Sequence, residues 1–194
     1  MKSKSKKSKD KIVEAIILTI YTPGCGTPPA PTCQDCPTKE LGGVRSFWIQ
    51  KASYTWSDIT NVNEWKTAIC NQDVYVFPFA NGAITQDPTM SDGYGNTPQD
   101  IDSYTYTADI HEPQYVNNVP FWNFIKKGNS YKFGYVTQNY VHESAVAAKF
   151  IPTAPVGKDV KSKVDMAIKV MFTQTDLITP KPKPTTIFDT CVDC

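Results

Sequence analysis

The chain carries the same short clasp near its start and at its end. Thr32-Cys33-Gln34-Asp35-Cys36 and Thr190-Cys191-Val192-Asp193-Cys194 are both Thr-Cys-x-Asp-Cys. A two-residue gap lets one turn present two sulfurs to a single ion. Two such pairs supply the four thiolates of a tetrahedral zinc shell. Any fold consistent with such a shell brings Cys33 and Cys36 close to Cys191 and Cys194, within one chain or across a subunit boundary. Disulfides are the rival reading, with Cys25 and Cys70 among the choices, and unligated thiols are the third. A thioredoxin-like redox role needs a strand–helix setting. Pro37 and the terminal position of Cys194 argue against a helix at either clasp.

Between the clasps, composition restricts the secondary structure. Fifteen prolines and ten glycines stand beside ten tyrosines and nine phenylalanines in 194 residues. That mixture favours strands and turns over long helices. The net charge of +1 makes no case for nucleic-acid binding by the whole chain. The charge is uneven, since Lys2, Lys4, Lys6, Lys7, Lys9 and Lys11 crowd the start. Those lysines read as a solvated tail, or as a segment that touches DNA or an acidic neighbour. Together with the apolar run Ile12 to Ile20 and Gly24-Cys25 they also mimic an export or lipoprotein signal. Glu14 breaks that run, and Thr22-Pro23 is a poor approach to a lipidated cysteine. No stretch is long enough to span a bilayer as a helix.

Three segments are expected: an N-terminal arm over 1–43, a β-rich body over 44–179 and a Pro-rich C-terminal arm over 180–194. The first arm holds a β-like run at 12–21 and the proline-rich stretch Pro23 to Pro37. In the body, Arg45 to Trp56 opens a strand. Asn61 caps a helix over 62–70, with Glu64 completing a capping box and Trp65, Ala68 and Ile69 on one face. Val74 to Phe77 is a short buried strand ended by Pro78. Residues 80–100 read as a long polar loop. Tyr104, Tyr106 and Ala108 alternate as a strand. A second helix is expected at 119–127, with Pro120 near its first turn and Phe121, Phe124 and Ile125 inward. Strands follow at 131–137, near 144–151 and at 163–173, the last with Val164, Met166, Ile168 and Val170 inward. Lys-Pro-Lys-Pro from Lys181 reads as a stiff extended spacer. This order predicts an α+β fold, mainly antiparallel, as a sandwich or barrel with two short helices.

Catalytic sets are hard to assemble from these residues. His111 and His142 sit in polar stretches, and His142-Glu143 lacks a nucleophile. Asp87, Asp92, Asp100 and Asp102 gather around the expected loop, but Asp92 to Asn96 is only a fragment of a calcium loop. Trp48, Trp56, Trp65 and Trp122 could build a carbohydrate or nucleic-acid platform. Cores and subunit interfaces use the same residues more often.

Three stretches carry a resemblance. Asp58-Ile59-Thr60 leads into Asn63-Glu64-Trp65-Lys66. Phe121-Trp122-Asn123-Phe124-Ile125 precedes Tyr131 to Thr137. Met166 to Phe172 is followed by Pro180. Over about 44–179 the chain resembles tail-tube and connector-type virion proteins of tailed bacteriophages, and its Tyr/Asn/Thr-rich texture is similar to virion proteins of crAss-like gut Bacteroides phages. The resemblance implies a sandwich or barrel closed into a ring around the DNA path. It also implies a homo-oligomer contacting other virion proteins, assembled in the host cytoplasm, with no catalytic residues and no membrane. A capsid decoration or head-fibre protein, and an exported lipoprotein or adhesin, are the alternative expectations.

Overall fold

A computed structural model describes residues 42–93, 95, 99–128, 130–154 and 165–189. The fold is α+β and mostly antiparallel β, with two helices beside two sheets. Five strands pair in the order β2-β1-β5-β6-β9: β1 (Ser46–Lys51), β2 (Val74–Phe77), β5 (Tyr131–Val136), β6 (Tyr140–Ala147) and β9 (Lys181–Pro182). Four pair in the order β3-β4-β8-β7: β3 (Asn81–Ser91), β4 (Asp100–Glu112), β7 (Lys149–Thr153) and β8 (Met166–Gln174). The helices are α1 (Val62–Cys70) and α2 (Tyr115–Ile125). The two sheets form an open sandwich. The barrel alternative is corrected, because among the described residues each sheet keeps two edge strands.

Strand β1 is apolar at both odd and even positions, and the fold uses both sets. Phe47 and Ile49 face the core shared by the two sheets, with Phe133, Tyr106, Ala108, Ile110, Ile168, Val170 and Phe172. Trp48 faces the other way, into a second cluster with Trp65 and Ala68 of α1, Val74, Val136 and Val141. A strand buried on both faces reads as a continuous apolar run rather than an alternation. By contrast, β8 alternates strictly. Met166, Ile168, Val170 and Phe172 are buried, while Lys169 and Met171 are exposed. Val164 and Lys163 lie outside the described residues.

Helix α1 follows its sequence signals. Asn61 accepts a hydrogen bond from the Asn63 amide at 2.9 Å. Glu64, however, does not close a capping box on Asn61. Its carboxylate accepts from the amides of Ser57 at 2.6 Å and Asp58 at 2.8 Å, one turn of chain earlier. It therefore pins the loop that enters the helix, while Asn61 N–H bonds the Asp58 carbonyl.

Four further expectations need correcting. The polar loop at 80–100 is mostly strand, since Asn81–Ser91 pairs with β4 along its whole length. Its pattern misleads because β3 is an edge with little buried on either face. Pro88 is tolerated there, as an edge strand can lack a ladder donor. Second, α2 begins at Tyr115, so Pro120 lies inside the helix rather than in its first turn. Its inward residues are Trp122 and Ile125, and Phe124 points to solvent. Third, the strand near 144–151 is two strands in different sheets. A register shift lies between Lys132 and Gly134 opposite β6, and the chain then crosses at Ala148 into β7. Buried Ser144 bridges this bulge, accepting from the Phe133 amide and donating to the Val146 carbonyl. Fourth, the described part of the C-terminal segment is no free spacer. Lys181–Pro182 pairs with β6, and Ile187 and Phe188 are buried against Trp48 and Trp65. The run at 12–21 lies outside the described residues.

Two substitutions probe this packing. A Cβ at Gly134 would stand inside the Trp48 indole, its cross-strand partner. Gly134→Ala should therefore lose about 3 kcal/mol or more, as overpacked cores do. Phe188→Ala should lose about 3–5 kcal/mol if the tail belongs to the core. Urea titrations of both variants measure these losses, and a Phe188→Ala loss below about 1 kcal/mol would return the tail to the status of an arm.

Candidate functional site

Two surfaces on the body gather side chains that chemistry or assembly could use. The first is a cleft of about 450 Å³ bordered by Trp56, Lys132, Glu143, Gln174, Asp176 and Lys181. Gln50 does not line it, but is fully buried on β1 and bonded to two residues that do, Trp56 and Glu143. Its Oε1 accepts from the indole N–H of Trp48 at 3.0 Å and of Trp56 at 2.8 Å. Its Nε2 donates to Glu143 Oε1 at 2.7 Å and to the Tyr54 carbonyl at 3.5 Å. One amide thus uses both lone pairs and both protons. It ties β1 to the loop after it and to β6.

Burial raises the Glu143 carboxyl above its ordinary value, against the pull of Lys132, the Gln50 amide and Lys181. Burial and the nearby Glu64 carboxylate push the Tyr54 phenol up to about 12. Tyr54 and Trp56 stack edge to face at 5.0 Å, and Trp56 lies 4.2 Å from Trp65. Trp48, Trp65 and Trp122 are buried, which places them in cores rather than on an exposed platform. The sequence pointed to His142-Glu143, but His142 stacks on Tyr135 at 4.5 Å, whereas Glu143 turns to Gln50. His111 is exposed and pairs with Asp165 at 3.0 Å. Sequence reasoning missed Gln50. A lone Gln inside an aromatic strand was the available signal.

The second surface is α2 with its surroundings. Its N-terminus is held by Glu112, whose Oε1 accepts from the Gln114 amide at 2.8 Å and from Asn118 Nδ2 at 3.1 Å. A carboxylate there also suits the helix dipole. On the inner side, Trp122 lies against Phe77 of β2 and Phe150 of β7, edge strands of different sheets. The outer side is apolar as well. Val116, Pro120 and Phe124 fall at i, i+4 and i+8, one stripe on a helix. Val116 is 79% exposed and Phe124 66%. Exposed Asn117 and Asn123 flank the stripe, and apolar side chains on an outer helix face are ordinarily covered.

Cys33, Cys36, Cys191 and Cys194, the expected metal ligands, lie outside the described residues, as does Cys25. Cys70, at the end of α1, is disulfide-bonded. Among the described residues no three His, Cys, Asp or Glu side chains converge to hold a metal ion, and no helix is long and apolar enough to cross a membrane. No family model, no curated protein and no solved structure matches the chain.

The raised value of Glu143 makes a pH prediction. Folding favours its protonated form, so the stability tied to this group is complete below the unfolded value and is lost as pH rises through the folded one. Glu143→Gln keeps an acceptor for Gln50 Nε2 and carries no charge. Thermal melts from about pH 4 to 8 should find the variant more stable than the parent at the neutral end, with the difference vanishing at the acid end. A variant less stable than the parent at the neutral end, and equal to it at the acid end, would show that the charge itself supports the fold.

Proposed function

We propose that the chain is a structural subunit of a bacteriophage virion, of the tail-tube or head–tail connector type, that assembles into a ring. The observation that carries this reading is the exposed apolar stripe on α2. Burying Val116 and Phe124 would stabilise an assembly by roughly 1.5–3 kcal/mol per side chain, and a lone subunit leaves them in water.

Other features support the same reading. Among the described residues both sheets end in open edges, and an uncovered edge is a template for pairing with another chain. The outer end of the β3–β4 hairpin runs past β8, which pairs with β4 only from Tyr104 to Glu112. Met90 and Ile101 are exposed on that projecting ribbon. Two strands without a covering layer are marginal in water, so a ribbon of this kind suits contact with an adjacent subunit or ring. An obligate interface buries on the order of 2,000 Å² or more. The stripe, hairpin and strand edges would have to act together to reach it. The disulfide at Cys70 suits a mature particle outside the reducing cytosol, since such bonds persist on virion surfaces.

Native mass spectrometry and negative-stain microscopy test the reading. Rings or higher oligomers are expected at micromolar concentration. Val116→Asp and Phe124→Asp, both at exposed positions, should change subunit stability by no more than about 0.5 kcal/mol while shifting the population to monomers. A parent chain that stays monomeric, or rings indifferent to both substitutions, would remove the basis for the proposal.

A further inference from the structure

A groove of about 370 Å³ runs beside β2, between α1 and α2. Val74, Tyr75, Val76, Phe77, Pro78 and Phe79 all line it in succession. Alternate residues of a strand point to opposite faces, so an unbroken run of lining residues means that the groove follows the strand's edge. Among the described residues β2 has one strand neighbour, β1, and its other edge is open. Apolar side chains stand on both walls, with Ile69 on one side and Phe121, 5.0 Å from Tyr75, on the other.

Gln72, Gln114 and Asn118 also line the groove, and Glu112 is its one charged side chain. Glu112 lines the groove and is only 2% exposed. Its Oε1 takes both hydrogen bonds from α2, and its Oε2, also buried, has no hydrogen-bond partner. A buried carboxylate oxygen with no donor costs free energy until a donor reaches it, and a cationic donor compensates best. An exposed Phe79 (56%) stands at the end of the edge, where it could cover an apolar residue of an incoming chain.

We infer that this groove binds an extended peptide segment by strand addition to β2, with a lysine or arginine of that segment reaching Glu112. Backbone pairing along Val74–Phe77 would supply register, and the side chains flanking the basic residue would lie on Ile69, Phe79 and Phe121. This is the edge-augmentation mode, in which the main chain gives affinity and a pocket gives selectivity. The inference does not depend on ring assembly, because a monomer would present the same edge. In a ring, the segment would come from a neighbouring polypeptide.

The test is a titration of the ¹⁵N-labelled full chain, as parent and as Phe124→Asp, followed by amide chemical shifts. The probe is a short acetylated peptide of alternating valine and threonine with one central lysine. Two control peptides replace that lysine with norleucine or glutamate. Shifts should centre on Val74 to Phe79 and Asn118. The lysine peptide should bind about tenfold more tightly than the norleucine peptide, and the glutamate peptide should be weakest. Glu112→Gln should erase that order of preference. If this variant does not fold, the comparison of the three peptides on the parent chain still decides. Equal binding by all three, shifts centred elsewhere, or no shifts at all would overturn the inference, whatever the oligomeric state.

Discussion

Strand β1 has no solvent face, and that constraint organises the molecule. Its Phe47 and Ile49 belong to the sandwich core, and its Trp48 and Gln50 to the layer under α1. The indole of Trp48 needs a flat neighbour, and the facing strand provides Gly134 at the paired position. A side chain there would compete with the ring for the same volume. The indole N–H must also find an acceptor once buried. Gln50, two residues along and therefore on the same face, supplies it.

The polar groups of this inner layer are satisfied within the chain. Gln50, Ser144 and Gln174 each use their hydrogen-bonding capacity to join backbone or side chains across elements. The situation around α2 is different. There, among the described residues, the outer apolar stripe is uncovered, the β2 edge is open, and Glu112 Oε2 is buried without a donor. Two of the buried polar atoms without a partner, Glu112 Oε2 and Trp122 Nε1, lie on α2 or beside its start, and a third, Gln138 Oε1, lies in the β5–β6 turn. The uncovered groups around α2 are the ones on which the proposed role in assembly rests.

Where sequence and structure agree, local rules prevail. Helix α1 spans the expected residues because its cap and its apolar spacing both act within a few positions. The inward set of β8 was legible because one face is buried and the other wet. Disagreement begins where burial depends on distant partners. The edge strand β3 has almost no buried face, so its pattern carries no period, and only pairing with β4 makes it a strand. The inward side of α2 was misjudged at Phe124 because apolar residues stand on every side of that helix, and periodicity chooses poorly among them. The carboxylate of Glu64 has several amides within reach, and the path of the entering loop decides which it takes. The Gln50 hub joins residues 93 positions apart, a separation that no local pattern reveals.

The sequence by itself determined the elements whose cause is local: the capped helix at 62–70, the strand ended by Pro78, the alternating strand before Gln174 and an antiparallel β-rich class. Tertiary structure alone decided which sheet each strand joins, that the chain changes sheets at Ala148, that the tail residues Ile187 and Phe188 complete a core, and which side of α2 stays in water. The physical reason is range. Caps, prolines and side-chain periods act over a few residues, whereas burial and edge pairing are shared between segments far apart in the chain and exist only once those segments have met.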